Sequence, residues 1–290
     1  MLSNSLMWSL LAVCMVVLLP TLAIGIGSFV AGRVTRMSFY TYASLGVVGV
    51  PVHELSHALA CLLFRMRITK IALYAPDPET GRLGYVAFTY NPRSTLHAVG
   101  LLVQGIAPLL MAGAFLLWLV PAPHVDSIQV MGRGGAGWFG ERITEGLSLG
   151  LAMTLGNLLT GLHGAVWCSA ALLIGAYGIP SWSDVRLALR GLIVVALVGT
   201  AAVSLATSAE TLLPSRFSAD NFPGIAAVLS TATTNVIGLL ITCATMVSLV
   251  GVVGVVVIQL LPSLLACSLK WGWQRFIRAK KNRPHGPVED

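Results

Sequence analysis

Charged residues are scarce in this chain: they make up 10% of its 290 residues, against about 25% in a typical soluble domain. The hydrophobic fraction is 56% and the mean hydropathy is +0.83. This balance excludes an ordinary soluble fold. Because apolar segments are spread over the whole length, we expect an all-α polytopic membrane protein that forms one integral-membrane domain, residues 1–290.

Paired cysteines are also absent. The five cysteines stand singly in apolar segments, and no Cys-x-x-Cys pair occurs. This excludes a disulfide framework and a cysteine-based zinc site as sequence-level interpretations. No basic residue precedes the first apolar segment, about 7–31, so we expect a retained membrane helix rather than a cleaved signal peptide.

The net charge of +7 does not indicate nucleic acid as a partner, because the basic residues flank apolar segments instead of clustering with aromatic residues on a polar face. The expected partner is the lipid bilayer. Six membrane spans are predicted, at about 7–31, 39–64, 95–120, 147–178, 187–209 and 225–262. With a cytoplasmic N-terminus, thirteen Lys and Arg residues fall on the cytoplasmic side and five on the other. The positive-inside rule therefore predicts cytoplasmic N- and C-termini, with a basic tail over about 263–290 and a core over about 39–190.

Residues 68–91 differ in composition and residue pattern from the apolar segments around them. Two short runs rich in β-branched and aromatic residues flank a Pro-Asp-Pro-Glu-Thr-Gly turn, which predicts a small β-hairpin. Unpaired strand edges are not tolerated in lipid, so the hairpin must lie at the membrane surface or pack within the protein. Its edge could pair with an extended substrate segment, or the hairpin could be a solvated connector.

The most informative feature present is the pentapeptide His-Glu-Leu-Ser-His at residues 53–57, inside the second predicted span. On a helix, His53 and His57 share one face and can bind one zinc ion, and Glu54 is then placed to act as a general base. Ionisable side chains within a membrane span carry an energetic cost, which favours a functional role. A polar seam between membrane helices is the alternative interpretation.

A catalytic zinc ion has three protein ligands and an open position, so a third ligand is needed. His57 lies about seven residues before the end of its span, roughly 10 Å from the cytoplasmic face. Asp184 follows the fourth predicted span on that same side and is the favoured third ligand; its alternative role is to cap the next helix. His163, inside the fourth span, is the alternative third ligand, and His97 is a weaker one.

Two uncharged polar residues also lie within predicted spans. Gln104 and Asn157 could orient the zinc ligands, or could hydrogen-bond a substrate backbone or a developing oxyanion. Hydrogen bonding between helices is the alternative role for each.

The arrangement resembles the site-2 protease family of intramembrane zinc metalloproteases. The resemblance spans about residues 45–184 and consists of the 53–57 pentapeptide, the hairpin after it, the Gly-Ile-Ala-Pro break at 105–108 and Asp184. It implies His53 and His57 as zinc ligands, Glu54 as general base and a late aspartate as third ligand. It also implies membrane-anchored protein substrates that are cleaved within or near the bilayer.

The sequence thus predicts a multi-pass zinc metalloendopeptidase, expected in a bacterial inner membrane. A non-catalytic membrane protein that uses its zinc for structure or for partner binding is the main alternative, and a structural zinc would have four protein ligands. A transporter is less favoured because no inverted repeat with matching broken helices is evident.

Overall fold

The computed structural model describes residues 37–119, 136–156, 158–194 and 225–281, together with residues 18, 19, 21, 22, 25, 26, 197 and 201. The elements in chain order are α1 (Met37–Leu63), β1 (Arg67–Ala72), β2 (Tyr85–Thr89), α2 (Thr95–Leu119), α3 (Ala136–Leu151), α4 (Leu162–Gly178), α5 (Trp182–Val194), α6 (Ile225–Val255) and α7 (Leu261–Lys281). Two π-helical turns, Ala152–Gly156 and Val256–Leu260, extend α3 and join α6 to α7. The predicted helical class, with one small antiparallel sheet, is confirmed for these residues.

Fewer membrane spans are supported than the six predicted. Three helices in the described part are long and apolar enough to cross a bilayer, namely Phe39–Leu63, Thr95–Trp118 and Asn235–Gln274. The pair formed by α4 and α5 passes the same test together but is bent by 62°. The described residues therefore support three or four spans, and the predicted spans at about 7–31 and 187–209 lie largely outside them.

The predicted fourth span, 147–178, is wrong as a single helix. The π-helical turn Ala152–Gly156 follows α3, and a turn at residues 159–160 precedes α4. Gly161, immediately before α4, has φ +88°, a left-handed conformation that breaks a right-handed helix. The apolar composition continues through this break, so hydropathy alone does not detect it.

The predicted hairpin is confirmed. β1 and β2 pair in antiparallel register from Arg67–Thr89 to Ala72–Tyr85, with a bulge between Ile68 and Lys70. At the turn, the Asp77 carboxylate accepts hydrogen bonds from the Glu79 amide (2.9 Å) and the Thr80 hydroxyl (2.6 Å). The hairpin connects the end of α1 to the start of α2, so it lies at the end of the bundle that also carries residues 53–57.

The core of the bundle is centred on α6. Its buried residues Met246, Val247 and Val250 pack against apolar side chains of α2, α3 and α4. α3 and α6 also enclose an ion pair between Arg142 Nη1 and Glu145 Oε2 at 2.7 Å. Arg142 Nε and Glu145 Oε1 are buried and have no hydrogen-bond partner among the described residues, so this pair is only partly satisfied.

Candidate metal site

Two histidines from α1 and one aspartate from α5 meet at the hairpin end of the bundle. The Nε2 atoms of His53 and His57 lie 3.1 Å apart. The Asp184 carboxylate lies 3.5 Å from His57 Nε2 through Oδ1 and 3.7 Å from His53 Nε2 through Oδ2. All three donor atoms lie within 4.8 Å of one another. A tetrahedral metal ion with bonds of about 2.0–2.1 Å separates its ligand atoms by about 3.3 Å, so these residues form a group that could hold a metal ion.

The outer nitrogen of each imidazole is held by a backbone carbonyl. His53 Nδ1 donates to the Tyr177 carbonyl (2.6 Å), and His57 Nδ1 donates to the Gln104 carbonyl (2.8 Å). A carbonyl oxygen only accepts hydrogen bonds, so both Nδ1 atoms carry the proton and both Nε2 atoms of the neutral rings present lone pairs. At 3.1 Å, these two nitrogens are close enough to share a proton or to bind one metal ion between them. This is the tautomer and orientation that metal-binding histidines require.

Asp184 has two roles, because it caps α5 as well as facing the histidines. Its Oδ2 accepts hydrogen bonds from the Ser181 amide (2.8 Å) and the Ser181 hydroxyl (2.6 Å). The Ser181 hydroxyl in turn accepts from the Asp184 amide at 3.3 Å, which completes a reciprocal capping box. The geometry is therefore compatible with both roles that the sequence left open for Asp184. The cap fixes the carboxylate and leaves Oδ1 directed toward His57.

Close helix contacts bring Asp184 to the histidines. A Cβ placed on Gly105 of α2 would lie 2.4 Å from the Asp184 carbonyl oxygen and 2.7 Å from Ala188. A Cβ on Gly191, two turns further along α5, would lie 2.4 Å from the backbone nitrogen of Leu102. Small residues let the two backbones approach in this way. The 62° bend between α4 and α5 then directs the first turn of α5 toward α1.

A second close contact positions the Tyr177 carbonyl. The ring of Tyr177 fits against Gly46 and Gly49 of α1, where a Cβ would lie 3.1 and 2.4 Å from ring atoms. The same ring stacks on Tyr42, with centroids 4.6 Å apart, and its hydroxyl donates to the Tyr42 carbonyl. The last turn of α4 is thus locked to α1 beside His53.

Glu54 shares one cavity of about 960 Å³ with the three donor residues. Its side chain is mostly buried. Gly84, just before β2, lies against it: a Cβ there would be 2.8 Å from Glu54 Cγ. The hairpin therefore covers Glu54, and the cavity is the space beside both. Apolar side chains, including Leu22, Ile26 and Val50, line its remaining wall.

The other predicted site residues are placed differently. Gln104 is buried beside the site, but it orients His57 through its backbone carbonyl, and its side-chain Oε1 has no partner among the described residues. His163 is not part of the donor group: it is exposed in the first turn of α4 and accepts a hydrogen bond from Trp167 Nε1 (2.7 Å). Fourteen helical residues, about 21 Å, separate it from Tyr177. His97 accepts a hydrogen bond from the Asn91 amide, and Asn157 lies outside the described residues.

Comparisons with protein-family models, with curated proteins and with solved structures return no match to this chain. Sequence reasoning missed Tyr177, Gly49 and Gly84, and their residue types gave no signal of their position beside the site.

Proposed function

We propose that this chain is an intramembrane zinc metalloprotease of the site-2 protease type. The observation that carries the proposal is the group formed by His53, His57 and Asp184, placed with Glu54 in one cavity at the end of a membrane-length helix. Two imidazoles and one carboxylate, with no sulfur among them, are typical ligands of catalytic zinc. Within the part of the chain that the structure describes, three donors meet here in contrast to the four of a structural site, which favours catalysis over the non-catalytic alternative.

The chemistry proposed is hydrolysis of a peptide bond. A zinc ion bound by these donors would lower the pKa of a bound water molecule toward neutral pH and would polarise the scissile carbonyl. Glu54 accepts the proton of the attacking water and later passes it to the leaving amine. Glu54 lines the same cavity as the three donor residues, so its carboxyl group is placed for both transfers.

Membrane-anchored proteins are the substrates that fit the surroundings of the site. The cavity wall is largely apolar, and one side of it is formed by residues 84–88, including most of β2. β2 pairs with β1 along one edge, and its other edge pairs with no further strand of the described chain. A substrate segment that unwinds from a helix can add to that edge through its backbone, which presents the scissile bond beside Glu54.

The test uses purified protein reconstituted in liposomes with candidate membrane-anchored substrates, and new chain ends are detected by mass spectrometry. Wild-type protein loaded with zinc is expected to produce defined cleavage products. Glu54→Gln is expected to retain one zinc per chain and to produce none, because Gln has nearly the same shape but accepts no proton. Cleavage by Glu54→Gln at the wild-type rate would refute the proposed role of Glu54.

A further inference from the structure

The cavity contains one cation that the metal site does not use. Among the described residues that line it, the histidines, acidic residues and basic residues are His53, His57, Glu54, Asp184 and Arg82, and Arg82 is the single lysine or arginine. Arg82 is exposed, and it forms no ion pair with any carboxylate of the described residues. Its guanidinium group lies over the Tyr85 ring, 5.9 Å from the centroid.

The backbone of Arg82 is fixed relative to the site. Its carbonyl accepts from the Asp77 amide at 2.8 Å, so it belongs to the hydrogen-bonded base of the hairpin turn. Two residues later, Gly84 contacts Glu54. Arg82 therefore lies on the part of the hairpin that covers Glu54.

No carboxylate that lines the cavity forms an ion pair with this cation; its acidic neighbour on the hairpin, Asp77, pairs with it through the backbone and does not line the cavity. With zinc bound, two neutral histidines and the carboxylates of Asp184 and Glu54 give a group with no net charge. Arg82 adds one positive charge at the wall of a largely apolar cavity. One carboxylate on the substrate neutralises that charge, and a guanidinium binds a carboxylate with two parallel hydrogen bonds.

We infer that Arg82 forms a carboxylate-binding subsite, so that the protein selects substrates carrying an acidic group close to the cleaved bond. This inference rests on the proposed proteolytic function and names its substrate class. The carboxylate is either an Asp or Glu side chain of the membrane-anchored segment or the free C-terminus of a shorter chain. Both present the same chemistry to Arg82.

The test measures binding, so it is separate from the test of catalysis. Zinc-loaded Glu54→Gln protein in detergent is titrated with synthetic apolar peptides of about 20 residues that carry Asp or Asn at one position, moved stepwise along the sequence. A second peptide set compares a free with an amidated C-terminus. At one position, or at the C-terminus, the acidic form is expected to bind about tenfold more tightly than its neutral partner.

The same titrations in Arg82 variants show whether Arg82 causes the preference for acidic peptides. Arg82→Gln is expected to bind acidic and neutral peptides equally, and Arg82→Glu to prefer peptides with Lys at that position. Lys70→Gln is the matched control, because Lys70 is an exposed cation on the same hairpin that does not line the cavity. The inference would be overturned if the Glu54→Gln protein that retains Arg82 bound acidic and neutral peptides equally. It would also be overturned if the preference for acidic peptides survived Arg82→Gln. Failure of the wild-type protein to cleave any substrate would instead count against the proposed function.

Discussion

Replacing Gly49 with alanine tests whether packing between α1 and α4 controls metal affinity. The new Cβ would lie 2.4 Å from Cδ2 and 2.7 Å from Cγ of the Tyr177 ring. Carbon atoms reach their optimal separation at about 3.5–4.0 Å, so the ring must move away by roughly 1 Å. The ring cannot rotate away freely, because it stacks on Tyr42 and its hydroxyl is hydrogen-bonded there. The backbone of Tyr177 is therefore expected to move with its ring.

The displacement acts on the ligand through one hydrogen bond. The Tyr177 carbonyl accepts from His53 Nδ1 at 2.6 Å. A movement of about 1 Å would lengthen this distance to about 3.6 Å, beyond the limit of a hydrogen bond. Loss of such an orienting partner typically weakens metal binding about 10- to 100-fold, which corresponds to about 1.4–2.7 kcal/mol. We expect Gly49→Ala to lower zinc affinity within this range.

The assay is competition for zinc between the purified protein and a chromophoric chelator, with helical content followed by circular dichroism. Gly140→Ala is the matched control, because a Cβ at Gly140 meets nothing within 4 Å. Adding Tyr177→Leu to Gly49→Ala should restore part of the affinity by removing the bulk that clashes. A zinc affinity of Gly49→Ala within twofold of wild type, in a folded protein, would refute the idea that the Tyr177 carbonyl orients His53.

Three further predictions concern Asp184, the buried ion pair and the hairpin turn. Asp184→Ala should lower both the zinc affinity and the unfolding temperature, because the helix cap contributes about 1 kcal/mol to stability. Asp184→Asn should keep most of the cap and still lose zinc affinity. Chelator competition measures the first effect and thermal unfolding the second. Arg142→Met should destabilise the bundle by about 3–5 kcal/mol, because it leaves the Glu145 charge buried without its partner, and adding Glu145→Leu should recover most of that loss in denaturant unfolding. The Thr80 hydroxyl and a backbone amide hold the pKa of the Asp77 carboxyl below its usual value. The turn should therefore keep its full stability above about pH 4 and lose it as the pH falls further. Hydrogen exchange would detect this as a loss of protection of the turn amides relative to free amides. Protection that is the same at pH 5 and pH 2.5 would contradict the prediction.

The local elements that could be predicted from the sequence are those with a strong side-chain pattern. The hairpin was predictable because β-branched and aromatic runs flank a turn rich in Pro, Asp and Gly. The number of spans was not, because an apolar run does not show whether its helix is continuous. Residues 147–178 are mostly apolar, yet Gly161 adopts φ +88° and separates α3 from α4.

The candidate site also contains some residues that could be predicted from the sequence and some groups that could not. His53, Glu54 and His57 were predictable from their spacing, and Asp184 from the side of the membrane on which it was expected to lie. The groups that orient the histidines were not predictable, because they are backbone carbonyls. Every residue has a backbone carbonyl, so the sequence does not show which one will accept the hydrogen bond. The glycines that allow the close helix contacts are equally silent, since many other glycines of the chain make no such contact.

X-ray absorption at the zinc edge of the full-length protein tests the central claim most directly. We predict four light ligand atoms at about 2.0–2.1 Å, two of them from imidazoles, with one position held by exchangeable water and with the spectrum altered in Asp184→Ala. A sulfur ligand at about 2.3 Å, a shell of four protein ligands, or a spectrum unchanged by Asp184→Ala would contradict a catalytic site built from His53, His57 and Asp184.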